Sequence, residues 1–193
     1  CKNNHFPQKQ PPTTGEFLYL ADMTVNNDEF FGEVIALLRE GKNVTIPVKG
    51  ESMLPFIVGG VDSVVLEGVD GGSPAGSVLR TANVGDVVLF RADGRFLLHR
   101  IIFKDNDKTI CEIQGDGILK ARDLCPCDQI YGRVTTVLKK GCVPFDVDSP
   151  SYRRKVWLWM NTVFLRRLLL GVWKRLYVKR NGMNWPKSWN PDQ

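Results

Sequence analysis

A serine stands between a glycine and a proline in the segment Gly50-Glu51-Ser52-Met53-Leu54-Pro55. Gly50 permits a backbone turn that other residues avoid, and Pro55 stiffens the chain after the serine. Such a turn, placed just after a strand, would present the Ser52 hydroxyl as a nucleophile. Serine at its own pKa is a weak nucleophile, so it needs a nearby base. Taken alone, the segment is equally consistent with an ordinary strand-to-turn connection.

The sequence offers one histidine that could serve as this base. His99 lies within an apolar stretch, Leu97–Ile102, whereas His5, the other histidine, belongs to the amino-terminal segment. A neutral imidazole, with a reference pKa of about 6.5, could accept the serine proton near neutral pH. The structural alternative is a core histidine that is hydrogen-bonded to a carbonyl group.

Two aspartates could complete such a site. Asp116 lies in the segment Gln114-Gly115-Asp116-Gly117, and Asp123 follows seven residues later. A carboxylate orients the imidazole and stabilises the imidazolium that forms during catalysis. Asp-Gly pairs are also common in turns, and Asp123 could equally be an exposed charge, so the residues alone leave both candidates open.

Four motifs occur in a fixed order between residues 44 and 138, and together they resemble the type I signal peptidase and LexA-like serine peptidase clan. They are Gly50-Glu51-Ser52-Met53-Leu54-Pro55, Gly85-Asp86-Val87-Val88-Leu89-Phe90-Arg91, Leu98-His99-Arg100-Ile101 and Gly115-Asp116-Gly117. The resemblance implies a serine endopeptidase without a cofactor. Its expected substrates are exported or precursor proteins with small residues before the cleaved bond.

The resemblance also implies a particular kind of active site. Bacterial signal peptidases and LexA-like proteins usually have lysine at the base position, whereas this chain has His99, as do the signal peptidases of the endoplasmic reticulum. It is therefore similar to the His-type members, which pair serine with histidine and an aspartate. In those members the acid lies shortly after the Gly-Asp motif, which indicates Asp123, with Asp116 as the competing choice.

Two alternatives differ from a signal-peptidase-like enzyme. A non-catalytic, peptidase-like module would bind precursors without cleaving them, although Ser52 and His99 both stand at their motif positions. A self-cleaving regulator resembling LexA would need an Ala-Gly site upstream of the serine, but the sole such pair, Ala75-Gly76, lies downstream. We therefore favour the enzyme that cleaves other proteins.

The elements that must position these residues are mostly strands. A lead-in over 1–24 precedes a peptidase domain over 25–147, which begins with a helix over 26–41 that Asn26 caps. Short runs of β-branched and aromatic residues, separated by glycine and aspartate turns, predict a mostly β, antiparallel, barrel-like fold. The predicted strands are 44–49, 63–67, 87–91, 95–103, 109–114 and 130–138.

The charges of the chain are divided unevenly. Residues 1–150 carry 16 Lys and Arg against 20 Asp and Glu, whereas residues 151–193 carry 10 against 1. The tail over 148–193 is thus basic and aromatic, and its section 151–180 is helical in propensity. We expect this section to bind an anionic membrane surface or to dock on the body, and we regard nucleic acid as a less favoured partner. The protein is accordingly expected to be membrane-associated or cytoplasmic.

The remaining candidate chemistry is excluded by composition. Five cysteines form too sparse a set for a disulfide scaffold, and Cys125-Pro126-Cys127 lacks the two-residue gap that is usual for zinc ligands. Two histidines cannot make a histidine-rich metal site. We therefore expect neither a metal nor a cofactor. The sequence also contains no run of about 18 uncharged apolar residues, so it predicts no transmembrane helix.

Overall fold

A helix precedes the strands, as the sequence predicts. The computed structural model describes residues 27–69, 81–107 and 109–181 of the 193-residue chain. Helix α1 spans Asn27–Arg39, and one of its faces is apolar and buried through Val34 and Leu38. The predicted cap, Asn26, and the lead-in over 1–24 lie outside the described residues.

In the described residues, eight strands follow the helix. All six predicted strands are present, with bounds that differ by up to two residues. Two further strands, β6 and β8, are too short for a clear alternating pattern in the sequence. The strands are β1 Val44–Pro47, β2 Ser63–Gly68, β3 Val87–Ala92, β4 Arg95–Lys104, β5 Ile110–Gln114, β6 Asp123–Pro126, β7 Ile130–Leu138 and β8 Phe145–Asp146. A short 3₁₀ turn, Cys127–Gln129, joins β6 to β7.

The strands form one antiparallel sheet in the order β1-β2-β7-β3-β4-β5-β6, with β8 paired to β7. Among the described strands, β1 and β6 are the two ends of this hydrogen-bonded path, so the sheet is not closed. The turn between β3 and β4 has positive φ at Asp93 and Gly94, the geometry that matches the right-handed twist of a tight hairpin. The protein is therefore mostly antiparallel β structure.

Buried apolar residues of the described chain form three clusters, two of which pack on the sheet. One joins α1 to the inner face of β1, β2 and β7, and it includes Leu38, Leu66 and Val134. The other lies between β3, β4 and β5, and it includes Phe90 and Ile113. Because protein interiors are closely packed, these clusters should restrict the motion of the sheet, including the ends of β4 and β5.

The described part of the tail is helical, as predicted, and forms two helices. Helix α2 spans Pro150–Asn161 and helix α3 spans Val163–Asn181, with a break at Thr162. The inner face of the pair is buried against the body, through Trp159 and Leu170 among other residues. Within the described part of the chain, no helix combines the length and the apolar character needed to cross a bilayer.

Candidate active site

The serine motif forms a turn that is anchored by its apolar residues. Gly50 has a φ of 79°, a left-handed conformation that favours glycine, and Ser52 follows two residues later. Met53, Leu54 and Ile57 are buried beneath the turn, while Ser52 itself is half-buried. The anchoring side chains thus hold the backbone in place and leave the serine near the surface.

A second turn, Gly115–Gly117, packs directly against this serine turn. The backbone N–H of Gly117 donates to the carbonyl oxygen of Ser52 over 2.8 Å. A Cβ atom on Gly115 would lie 2.5 Å from the same oxygen, and one on Gly117 would lie 2.8 Å from the carbonyl oxygen of Glu51. Both glycines are therefore required for the two backbones to approach each other this closely.

The strand register places His99 opposite the start of this second turn. Arg100 of β4 pairs with Gln114 of β5, so the next residues along the two strands, His99 and Gly115, are neighbours at the end of this ladder. Gly115 also lies against the Ser52 backbone, so the residue paired with the candidate base contacts the backbone of the candidate nucleophile. His99 is 5% exposed, and its ring centroid lies 5.9 Å from that of Phe90.

Asp123 provides the carboxylate that faces the imidazole. Its Oδ2 atom lies 3.2 Å from Nδ1 of His99. An ionised carboxylate can only accept a hydrogen bond, so Nδ1 donates and Nε2 is the nitrogen that can receive a proton. Burial lowers the pKa of His99 below its usual value of 6.5, and the hydrogen bond and charge of Asp123 oppose this effect only in part. The imidazole is thus neutral, and able to act as a base, at neutral pH.

Asp116 has a different partner. Both of its carboxylate oxygens accept hydrogen bonds from Arg100, over 2.8 Å and 2.6 Å, and both side chains are almost completely buried. Burial by itself would lower the pKa of Arg100, but Asp116 and Tyr152 raise it above its usual value. This ion pair fixes the turn that carries Gly117, and hence the backbone of Ser52.

Arg100 also joins the remaining motif and the tail to the site. It donates through Nη1 to the carbonyl oxygen of Gly85 over 2.6 Å, and through Nη2 to the hydroxyl of Tyr152 in α2 over 3.2 Å. The four sequence motifs therefore contact one another in a chain, with Arg100 at its centre. Sequence reasoning assigned no role to Arg100 or Tyr152, although a charged residue within an apolar strand is a signal of a buried partner.

Helix α2 is attached at a second point by charge. Asp86, which is 2% exposed, accepts a hydrogen bond from Arg153 of α2 over 2.6 Å. Arg153 also contacts Asp148 over 2.6 Å. The Gly85-Asp86 motif thus supports the helix that carries Tyr152, and it contributes no side chain to the reacting group.

No protein-family model matches this chain, and a search of curated proteins found no match either. The described residues also contain no group of three or more histidine, cysteine or acidic side chains that could hold a metal ion.

Proposed function

We propose that this protein is a serine endopeptidase in which Ser52 is the nucleophile, His99 the base and Asp123 the orienting acid. The observation that carries the proposal is the contact between the Asp123 carboxylate and Nδ1 of His99, at the point where Gly115 meets the Ser52 backbone. A buried neutral imidazole held by a carboxylate beside a turn-presented serine is the arrangement that activates a hydroxyl for acyl transfer.

The reaction proceeds in two stages. In the first, Oγ of Ser52 attacks the peptide carbonyl carbon while Nε2 of His99 takes the hydroxyl proton. The tetrahedral intermediate then collapses, and His99 gives this proton to the leaving amine. In the second stage a water molecule attacks the acyl-enzyme, with His99 again acting first as base and then as acid. Asp123 stabilises the imidazolium in both stages and does not itself take up the proton.

Asp116 is better suited to positioning than to catalysis. Both of its oxygens accept hydrogen bonds from Arg100, whereas the carboxylate that contacts the His99 ring is Asp123. We assign it, with Arg100, to holding the serine turn. This division supports the His-type arrangement in which the acid follows the Gly-Asp motif.

The proposal extends to fold family and substrate. The contact of all four motifs around one site supports a barrel-like fold of the signal-peptidase and LexA-like clan, in which exported or precursor proteins are cleaved after small residues. A non-catalytic module that binds such precursors, and a self-cleaving regulator, are outcomes that the following experiment distinguishes.

The test is digestion of a diverse peptide library, with products identified by mass spectrometry. We expect cleavage after small residues, and we expect Ser52→Ala and His99→Ala each to lower the rate by at least about 10³-fold, since such residues act as a unit. Ser151→Ala is the matched control, because Ser151 is an exposed serine in α2 and its loss should leave the rate unchanged.

Three results would contradict the proposal. Equal cleavage by the Ser52→Ala and wild-type proteins would assign the activity elsewhere. Precursor binding without cleavage would favour the binding module. Fragmentation of the protein itself, with no cleavage of added peptides, would favour the self-cleaving regulator.

A further inference from the structure

The face of the tail helices that points away from the body is strongly apolar. In α3, Phe164, Leu168, Val172 and Leu176 recur every four residues, so they form one row along the helix. Phe164 is 88% exposed, Leu168 65% and Leu176 62%. Trp157 of α2 is 64% exposed. We call these five residues the outer face.

Basic residues accompany the outer face. Arg154 and Lys155 of α2 and Arg175 of α3 are exposed. From Ser149 to Asn181 the sequence contains no aspartate or glutamate, whereas residues 1–150 are acidic on balance. The apolar outer face is therefore accompanied by positive charge alone.

This combination matches an anionic bilayer surface. Exposed leucine and aromatic side chains can enter the boundary between headgroups and acyl chains, and tryptophan favours that boundary. Each nearby lysine or arginine increases binding to anionic lipid by about five-fold. A nucleic acid would use the charges but would leave a row of large apolar side chains in water.

The inner face of the same helices lies on the polypeptide that carries the nucleophile. Leu54 of the serine turn packs in one cluster with Trp159 and Leu170, and Phe56 packs against this cluster. Arg166 of α3 donates to the Gln114 side chain over 3.3 Å, next to Gly115. A surface bound by the outer face would therefore lie about one helix diameter, roughly 10 Å, from the serine turn.

We propose that α2 and α3 bind an anionic phospholipid bilayer through the outer face and so hold the site at the membrane surface. The binding itself is independent of catalysis. The significance of membrane binding rests on the proposed function, because this binding would place the peptidase where exported precursors emerge.

The experiment is co-sedimentation of the full chain with vesicles of phosphatidylcholine alone or with 30% phosphatidylglycerol, a composition of about physiological anionic content, at low and high salt. We expect salt-sensitive binding to the anionic vesicles only. The triple variant Phe164→Ser/Leu168→Ser/Leu176→Ser should bind at least about ten-fold more weakly. The variant Arg154→Gln/Lys155→Gln/Arg175→Gln should bind about 100-fold more weakly.

Matched controls change exposed residues elsewhere. Val143→Ser removes an apolar side chain that is 85% exposed, and Lys42→Gln/Arg95→Gln/Lys140→Gln removes three exposed charges from the body. Both controls should bind the anionic vesicles like the wild type. Equal losses in the controls and in the tail variants, or tighter binding to duplex DNA than to vesicles, would overturn the proposal. Ser52→Ala should bind vesicles normally, so loss of peptidase activity and loss of binding are scored separately.

A second inference rests on an unrelated observation, a close approach of two thiols. Sγ of Cys111 in β5 lies 2.6 Å from Sγ of Cys127 in the turn after β6, well inside ordinary sulfur contact. Cys111 is buried, whereas Cys127 is half-buried and accessible to a reagent. Edge strand β6 begins at Asp123 and ends directly before Cys127.

We infer that Cys111 and Cys127 form a disulfide when the protein meets a disulfide oxidant such as oxidised glutathione. The Cys127 thiolate attacks the oxidant and displaces one glutathione thiolate, and Cys111 then displaces the second. The two cysteines lose two protons and two electrons, and two glutathione molecules gain them. The bond would tie the far end of β6 to β5 and so secure the strand that carries Asp123.

Mass spectrometry of the oxidised protein tests this inference. We expect a mass lower by two hydrogens, a crosslinked pair of peptides that contain Cys111 and Cys127, and a Tm higher by about 5–10 °C. Cys127→Ser should abolish all three effects, and Cys142→Ser, which changes an exposed cysteine elsewhere, should abolish none. Oxidation that leaves both thiols alkylatable, or that links Cys111 to its cross-strand neighbour Cys125 instead, would overturn the inference.

Discussion

Replacing each candidate aspartate with asparagine should separate catalysis from folding. The two side chains are seven residues apart and nearly isosteric with asparagine, but their surroundings differ. The Asp123 side chain is 31% exposed and makes one contact with His99. The Asp116 side chain is 2% exposed and forms two hydrogen bonds to a buried arginine.

The expected stability changes follow from this difference in burial. Asp116→Asn leaves the Arg100 charge buried without its counter-ion, which should lower the free energy of unfolding by about 3–5 kcal/mol. In a chain of this size that corresponds to a fall in Tm of about 10 °C. Asp123→Asn removes a partly solvated partner of a neutral imidazole, and should cost less than about 1 kcal/mol.

The expected effects on turnover run in the opposite direction. Without the Asp123 charge, the imidazolium that forms in each transition state is no longer stabilised, and kcat should fall by about 10³–10⁴-fold. Asp116→Asn should lower kcat by about ten-fold at temperatures where the protein remains folded, since it only loosens the backbone of Ser52. Loss of either carboxylate should lower the pKa of His99 further, with the larger change in Asp123→Asn.

Urea unfolding, steady-state cleavage of a library-derived peptide and NMR titration of the His99 ring measure the three quantities. Ser151→Ala again serves as the control for unchanged folding and turnover. If Asp116→Asn abolished turnover while leaving stability intact, and Asp123→Asn did the reverse, the assignment of the acid would be wrong. Equal changes in both variants would contradict the separation of the two roles.

Three further predictions follow from the geometry. Because burial lowers the pKa of His99, the acid limb of the kcat/KM profile should have an apparent pKa below 6.5. The free energy of unfolding should also decline as the pH drops from 6.5 through the folded-state pKa of His99, which urea unfolding at several pH values will measure. Gly115→Ala should displace the Ser52 carbonyl group, which would lie 2.5 Å from the new Cβ atom, and lower kcat by about 10²-fold in the same peptide assay. Gly32→Ala is the control: no atom lies within 4 Å of the new Cβ atom, so kcat should be unchanged and α1 should be stabilised by about 0.5–1 kcal/mol. Hydrogen bonds from arginine lower the pKa of Asp148 from 3.8 to about 2. After allowance for solvent exposure, Asp148→Asn should lower the free energy of unfolding by about 1 kcal/mol at pH 7. Urea unfolding should show this difference vanishing as the pH falls towards 2.

The sequence by itself determined the local elements and the candidate residues. Runs of β-branched and aromatic residues between glycine and aspartate turns predicted six strands, because strand and turn preferences act over a few neighbouring residues. Four ordered motifs selected Ser52 and His99. The motifs did not decide whether Asp116 or Asp123 is the acid, since the separation of two residues along the chain does not determine the distance between them in the fold.

Only the tertiary structure decided how these residues are partnered. Strand β6, too short to predict, pairs with β5 and brings Asp123 to His99, while burial directs Asp116 to Arg100. In the folded chain a break at Thr162 gives two helices, and packing on Leu54 hides one face and exposes the apolar row that begins at Phe164. These outcomes depend on contacts between residues that are distant along the chain, which local preference cannot encode.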